Sequence, residues 1–345
     1  MLRTSNITRP LKIDDLLDGQ LIAKLDPLDL ASRKVFAGKL KGERRSKKRG
    51  QSVEFADHRP YVIGDDLRHI DWNLFGRLDR LFLKLFLEEE DLAMHVVIDA
   101  SESSDCGDPS KFLFMQRASM ALGYVGLVNL NRVACTAMAG ARIAKPQGEG
   151  ARVGQGVGQE VGQPEGPAGS EDDLETSPVG AGEIAAIRDL RGRRRTHDLA
   201  RFICSVRPSG PLLFRQAAER IALTRRGKGV MVIMSDFMFK DGYEDGLRML
   251  VGHGYDVFAI QVLSPQEIDP PLTGDLKLRD VEDGDLTEVT ISAPLIKKYK
   301  ENLAAYNGQL RDFCARREIS FLSVRSDTPI DTLLLDYLRR RGLVR

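Results

Sequence analysis

Four short runs of β-forming residues constrain this chain more than anything else in it: MHVVIDAS from Met94, GKGVMVIMSDF from Gly227, YDVFAIQVLS from Tyr255 and ISFLSVRSD from Ile319. Each is apolar on consecutive residues, the pattern of a strand covered on both faces. Segments with helical spacing separate them: KFLFMQRASMALGYVGLVNL, THDLARFICSV, PLLFRQAAERIALTRR and YEDGLRMLVGHG. The segment APLIKKYKENLAAYNGQLRDFCARR carries an apolar stripe at Ile296, Tyr299, Leu303, Tyr306, Leu310 and Phe313, with Pro294 in its first turn. IAAIRDL also reads as helical, and PIDTLLLDYLRRRG as a closing helix. RVACTAMAG and ARIAKP read as a strand pair turning on Ala139-Gly140, and DLKLRDVEDGDLTEVTIS as a hairpin around Asp283-Gly284. Strands alternating with helices predict an α/β fold built on a doubly wound, mostly parallel sheet.

Upstream of Met94 the rhythm differs. Residues 1–49 form a first segment. Its opening LKIDDLLDGQLIAKLDPLDL suggests one or two short amphipathic helices, and Lys39–Arg49 is strongly basic. Residues 50–92 form a turn-rich block whose apolar pieces Val53–Phe55, Tyr61–Ile63 and Leu81–Leu87 are parted by Pro60, Gly64 and Gly76, which predicts a small β-rich element. The α/β domain occupies 93–345, interrupted at about 145–182 by a glycine-rich stretch too poor in large apolar residues to fold, expected to be a disordered insertion. The chain has 345 residues, with 51 basic against 50 acidic side chains, so global charge points to neither nucleic acid nor membrane. No apolar run approaches the ~20 residues of a membrane span. The opening residues lack the apolar core of a secretion signal. Cys106, Cys135, Cys204 and Cys314 have no CxxC spacing. A protein of the reducing cytoplasm is expected.

Two of the strands end on acids, Ile98-Asp99 and Met234-Ser235-Asp236. In an open parallel sheet, ligands gather where central strands end. Asp99, Ser101 and Ser103 stand at alternate positions as D-x-S-x-S, and with Asp236 they offer a weakly charged oxygen site. Mg²⁺, Mn²⁺ or Ca²⁺ at one site would suit it. The same residue types also cap helices, and Ser103, Ser104 and Asp105 precede the helix expected near Lys111.

Resemblance to known families sharpens this. Met94–Asp236 is similar to a von Willebrand factor A-type domain, whose metal-ion-dependent adhesion site begins D-x-S-x-S after the first strand. The block EFADHRPYVIGDDLRHIDWNLFGRLDRLFLKLFLEEE resembles the signature of the bacterial domain of unknown function 58 family. Its matching positions are Glu54, Phe55, Arg59, Tyr61, Gly64, Asp65, Asp66, Arg68, Ile70, Asp71 and Trp72. The resemblance implies an A-like domain joined to a small β-rich element. It also implies partnership with a MoxR-type AAA+ ATPase in metal-dependent, chaperone-like assembly or maturation of other proteins. A threonine from a second loop completes the A-domain site, and Thr196 in RRRTHDLARF resembles it, with His197 inserted. The A-domain's third motif has glycine after its aspartate, whereas Phe237 follows Asp236 here.

Other features fit plainer roles. Asp65, Asp66, Arg68 and Asp71 read as a structural ion-pair network around Trp72, with Glu54, Arg59 and Tyr61 as further signature positions. Glu88–Asp91 reads as a solvated face. His58 and His69 lie near the signature without the spacing of a zinc site, and no phosphate-cradling P-loop is present, so any ATPase is a partner. The leading expectation is a non-enzymatic, metal-dependent protein-binding module. A magnesium-dependent hydrolase using Asp99 or Asp236, and a nucleic-acid binder using Lys39–Arg49, stand as alternatives.

Overall fold

The computed structural model describes residues 9–30, 54–63, 65–87, 93–138, 184–224, 229–279 and 286–344. The chain forms two compact units, one of residues 1–31 with 93–345, the other of 32–92. The first residues are therefore not a separate segment. Helices α1 (Ile13–Leu16) and α2 (Gly19–Leu25), the latter capped by Asp18, bury Leu16, Leu17, Leu21 and Leu25 in the α/β unit. Polar contacts lock them there: Lys24 pairs with Asp331 at 2.7 Å, and Asn129 donates to the Leu28 carbonyl. The expected basic segment Lys39–Arg49 lies outside the described residues.

The smaller unit pairs β1 (Glu54–Pro60) with β2 (Phe82–Leu87) in antiparallel register. Between them runs a helix, α3 (Trp72–Leu78), where only strands and turns were expected. Its start is set by Asp71, whose carboxylate accepts from the backbone N–H of Asn73 and Leu74.

The larger unit is built on β3 (Ala93–Asp99), α4 (Lys111–Val128), β4 (Arg132–Met138), β5 (Ala185–Leu190), α5 (Thr196–Ser205), α6 (Phe214–Thr224), β6 (Val230–Ser235), α7 (Glu244–Gly252), β7 (Asp256–Leu263) and α8 (Pro265–Ile268). A hairpin, β8 (Gly274–Arg279) with β9 (Leu286–Ile291), then leads into α9 (Ala293–Ala315), β10 (Ser320–Arg325) and a π-helical segment, Thr332–Leu338. The main sheet has the order β10-β7-β6-β3-β4-β5, parallel throughout except for β5. The doubly wound α/β expectation thus matches the sheet at its coarse level.

β5 is the main departure. IAAIRDL is a strand rather than a helix, paired antiparallel with β4 through Leu190 on Val133, Ile187 on Cys135 and Ala185 on Ala137. Seven residues are too few for periodicity to separate the two forms, and an open sheet edge decided it. The expected partner strand ARIAKP, the insertion at 145–182 and the Asp283-Gly284 turn all lie outside the described residues.

β3, β6 and β7 are buried along their whole length, as consecutive apolar residues require. One face carries α6, α7 and the end of α9, through Phe214, Leu247, Leu250 and Phe313. On the other, α4 is buried at 15 of its 18 positions, because α1, α2 and α5 flank it. The α9 stripe is used only in part: Leu310 and Phe313 are buried, but Tyr299 stays about two-fifths exposed.

Gly229 enters β6 against the neighbouring strand, where an added Cβ would sit 2.3 Å from the Ala93 carbonyl oxygen. Backbone cannot yield there as a side chain can. Gly229→Ala should lower the urea midpoint by about 1–3 kcal/mol of stability. Gly252→Ala, which meets nothing within 4 Å, should leave it unchanged or slightly raised. Equal midpoints for both variants would refute this packing.

Candidate functional site

β3 and β6 are adjacent central strands. Ile98 is in register with Met234, which brings Asp99 level with Ser235. From β3 the chain crosses to β4 on one side, and from β6 to β7 on the other, so the crevice at their carboxyl ends is the topological switch point.

Asp99 sits there fully buried. One carboxylate oxygen accepts the Ser101 N–H at 2.9 Å and the other the Ser235 hydroxyl at 2.6 Å. A 3-10 turn over Glu102–Ser104 folds the loop back, leaving the Ser101 and Ser103 hydroxyl oxygens 3.0 Å apart. Burial, reinforced by the charge of Asp236, pushes the Asp99 carboxyl up to about 6, against the hydrogen bonds from Ser101 and Ser235.

Asp236 follows β6 and is held at both oxygens, by the Met238 N–H at 2.9 Å and by the Lys111 ammonium at 2.9 Å. Lys111, the first residue of α4, is only 1% exposed and also reaches Glu267 of α8 at 2.7 Å. Burial alone would lower its pKa. The carboxylates of Asp236 and Glu267 outweigh burial and hold it above the usual lysine range.

Phe237 takes up a left-handed backbone, φ +59, a region that glycine enters without steric cost. Its ring turns into the core against Phe214 and Phe239 rather than narrowing the crevice. The capping alternative for D-x-S-x-S also fails. α4 is capped by Ser110, while Asp105 pairs with Arg9.

Thr196 is not brought to this site. Because β5 runs antiparallel, it delivers the chain to the amino end of the sheet, where Leu190 pairs with Val133. There Arg193 donates to Tyr124, roughly 20 Å along α4 from Lys111, and the Thr196 hydroxyl donates to the Arg193 carbonyl. The loop after α5 returns to the crevice instead. Ser209 donates its N–H to the Ala100 carbonyl, and Glu102 donates to Gly210, each at 3.0 Å. The Ser209 hydroxyl is buried and has no hydrogen-bond partner. Ser209, Ser235, Lys111 and Glu267 are the site residues that the sequence reading missed. The turn PSG before an amphipathic helix was the available signal for Ser209.

Among the described residues no three His, Cys, Asp or Glu side chains are grouped to hold a metal ion. The donors assembled here are instead carboxylates with hydroxyls. All four cysteines are buried and unpaired to one another.

The signature residues behave as a structural network within their own unit. Arg59 forms a two-pronged pair with Asp65 at 2.6 and 2.8 Å, and Asp66 pairs with Arg68 at 3.2 Å. His58 meets Asp71 at 2.9 Å and, with the Leu74 N–H and the Lys84 charge, draws its carboxyl down to about 2. The Tyr61 N–H donates to the Leu81 carbonyl. Trp72 is not at the centre of this network: it is 62% exposed, edge-on to Phe75. The Glu54 side chain, Gly64 and Glu88–Asp91 lie outside the described residues.

A family model described as "Protein of unknown function DUF58" matches residues 57–188 and 180–309. The chain belongs to the DUF58 family. Relatives include uncharacterized proteins of Mycobacterium bovis and Mycobacterium tuberculosis, each 25% identical over 336 residues, spanning 95% of this DUF58 chain and 92% of the relative. Solved structures similar to it include BatB from Bacteroides thetaiotaomicron (10% identity, 72% of this chain and 98% of that one, TM-score 0.39). Another is the pilus adhesin SpaC of Lactobacillus rhamnosus GG (10% identity, 74% and 30%, TM-score 0.38). Likeness this distant says nothing about function. No described helix of this DUF58 protein is long and apolar enough to cross a membrane.

Lys111→Met should cost about 3–5 kcal/mol at neutral pH, since it strands two carboxylates. A chemical-denaturation series at neutral pH in which Lys111→Met matches wild type would contradict the pairing.

The Asp99 carboxyl has a folded pKa raised above its unfolded value of about 3.8, so its protonated form favours the fold. That contribution is complete below the unfolded value and is lost as pH rises through about 6. Asp99→Asn should therefore gain on wild type between pH 4 and 7, by on the order of 2–3 kcal/mol, when melting is followed in chelator. Parallel pH curves for the two proteins would exclude the effect.

Proposed function

We propose that this DUF58 protein uses a von Willebrand A-type site to bind a divalent cation and, through it, a carboxylate of another protein. The observation that carries the reading is the pair of Ser101 and Ser103 hydroxyl oxygens, 3.0 Å apart, beside buried Asp99. Hydroxyls held that close without a charge between them form a ready edge of an octahedral oxygen set for magnesium or manganese. Asp99 supplies the negative charge. Ser209 supplies a further hydroxyl already stripped of water and partner. Asp236, with both oxygens engaged, contributes its charge from the next shell.

The chemistry favours binding over turnover. Lys111 divides its one charge between Asp236 and Glu267, and the carboxylate beside the hydroxyl pair is Asp99, which burial makes reluctant to ionise. A cation held by one carboxylate and neutral hydroxyls keeps unsatisfied positive charge, and an acidic side chain from a partner is the group that completes it. The partner expected from the family resemblance is a MoxR-type AAA+ ATPase or its client.

Calorimetric titration of Mg²⁺ and Mn²⁺ tests this. Wild type should bind one ion per chain, and Asp99→Ala and Ser101→Ala should each lose roughly tenfold or more in affinity. Ser209→Ala should weaken binding, and Thr196→Ala should leave it unaltered. Binding that survives Asp99→Ala, or metal-dependent phosphoester turnover by wild type that Asp99→Ala abolishes, would overturn the proposal.

A further inference from the structure

Net charge near zero conceals a strong local imbalance at the amino end of the sheet, opposite the crevice. Arg132 opens β4, Arg188 and Arg191 lie on and just past the edge strand β5, and Arg194, Arg195 and Arg201 follow in the turn and first half of α5. All six are exposed. Among described acids in the same stretch, Asp198 pairs with Arg195 and Asp189 remains, while Arg191 is itself engaged within the fold. Arg193 is drawn inward onto the Tyr124 ring and Asp26.

An apolar side chain stands in the midst of these arginines. Leu130 follows α4 at the position where a helix turns off through a left-handed residue, its N–H donating to Leu127 and that of Asn131 to Gly126. Glycine or asparagine is usual there. Leucine occupies it at φ +59 and is 58% exposed. Its tip lies 3.8 Å from where a Cβ on Gly192 would stand, between Arg191 and Arg193. Leu223, in the last turn of α6, emerges at the same end of the sheet and is 76% exposed. A leucine held in a strained backbone and pointed at water gains nothing within the fold.

We propose that this end of the sheet docks on an anionic bilayer surface. Arginines there meet phosphate and acidic headgroups, and Leu130 enters the headgroup–acyl boundary, the division of labour of peripheral membrane binding. A nucleic-acid backbone would satisfy the arginines equally but offers Leu130 no apolar medium, and the described patch has no exposed aromatic residue for base stacking. The inference is independent of the metal site at the other end.

The test is co-sedimentation of the full chain with vesicles of phosphatidylcholine alone or containing about 30% phosphatidylglycerol, at moderate salt and again at high salt. Wild type should bind only the anionic vesicles, and high salt should release it. Arg188→Glu with Arg194→Glu should lower partitioning roughly tenfold. Leu130→Gly should lower it at least a few-fold while keeping or raising the melting temperature, because it removes strain; this separates a membrane role from a folding one. Equal binding to both vesicle types, or to anionic vesicles by both variants as by wild type, would overturn the proposal. The latter outcome would assign the affinity to residues elsewhere, such as Lys39–Arg49. Retention of a short DNA or RNA duplex, with no vesicle binding, would mark the patch as a nucleic-acid surface instead.

Discussion

One buried ammonium organises the carboxyl end of this sheet. Lys111 draws the first turn of α4, the end of β6 and α8 to a single point, because an ammonium removed from water must find acceptors within reach. Asp236 and Glu267 supply them, and Glu267 is itself locked by Ser264 in a reciprocal cap of α8. The geometry of Asp99 follows from this arrangement. With Asp236 committed to Lys111, Asp99 takes the Ser101 N–H and the Ser235 hydroxyl, and the Ser103 hydroxyl meets that of Ser101. The crevice therefore sets hydroxyl and amide donors around the one carboxylate, Asp99, that Lys111 does not hold.

The fold was readable where burial left no choice. β3, β6 and β7 show as consecutive apolar residues, whereas β10, expected to be buried on both faces, is an edge strand with exposed positions; the order of the four along the chain dictates a parallel sheet. The reading failed at IAAIRDL, where a solvent-facing edge strand carries neither a continuous apolar run nor clean alternation. Thr196 was chosen for its T-D-L-like motif, and the direction of this strand decides where it stands. A strand read as helix hides a reversal of direction, and the reversal places Thr196 at one end of the sheet and Ser209 at the other. Asp99, Ser101, Ser103 and Asp236 were legible because strand ends of a parallel sheet are fixed by the strands themselves. Lys111 was not, since nothing in KFLFMQRA separates a lysine folded under its helix from one in solvent.

The smaller unit shows the opposite balance. Its signature is dense in sequence, yet most of what it specifies is local: Asp71 starts a helix, Asp65 clamps Arg59, and Asp66 caps a turn. The signature most visible in the sequence rests on residues that make one small unit fold, although the family match runs on to residue 309. The signature carries information about architecture, and the candidate site lies in the larger unit.

The bridge between Leu30 and Val344, with the ion pair of Lys24 and Asp331 beside it, joins stretches far apart in sequence. Lys24 and Asp331 stand 307 positions apart. Closing so long a loop costs more chain entropy than the packing of α1 and α2 on α4. This seam is thus a late event of folding, set by the longest contacts in the molecule rather than by its strands.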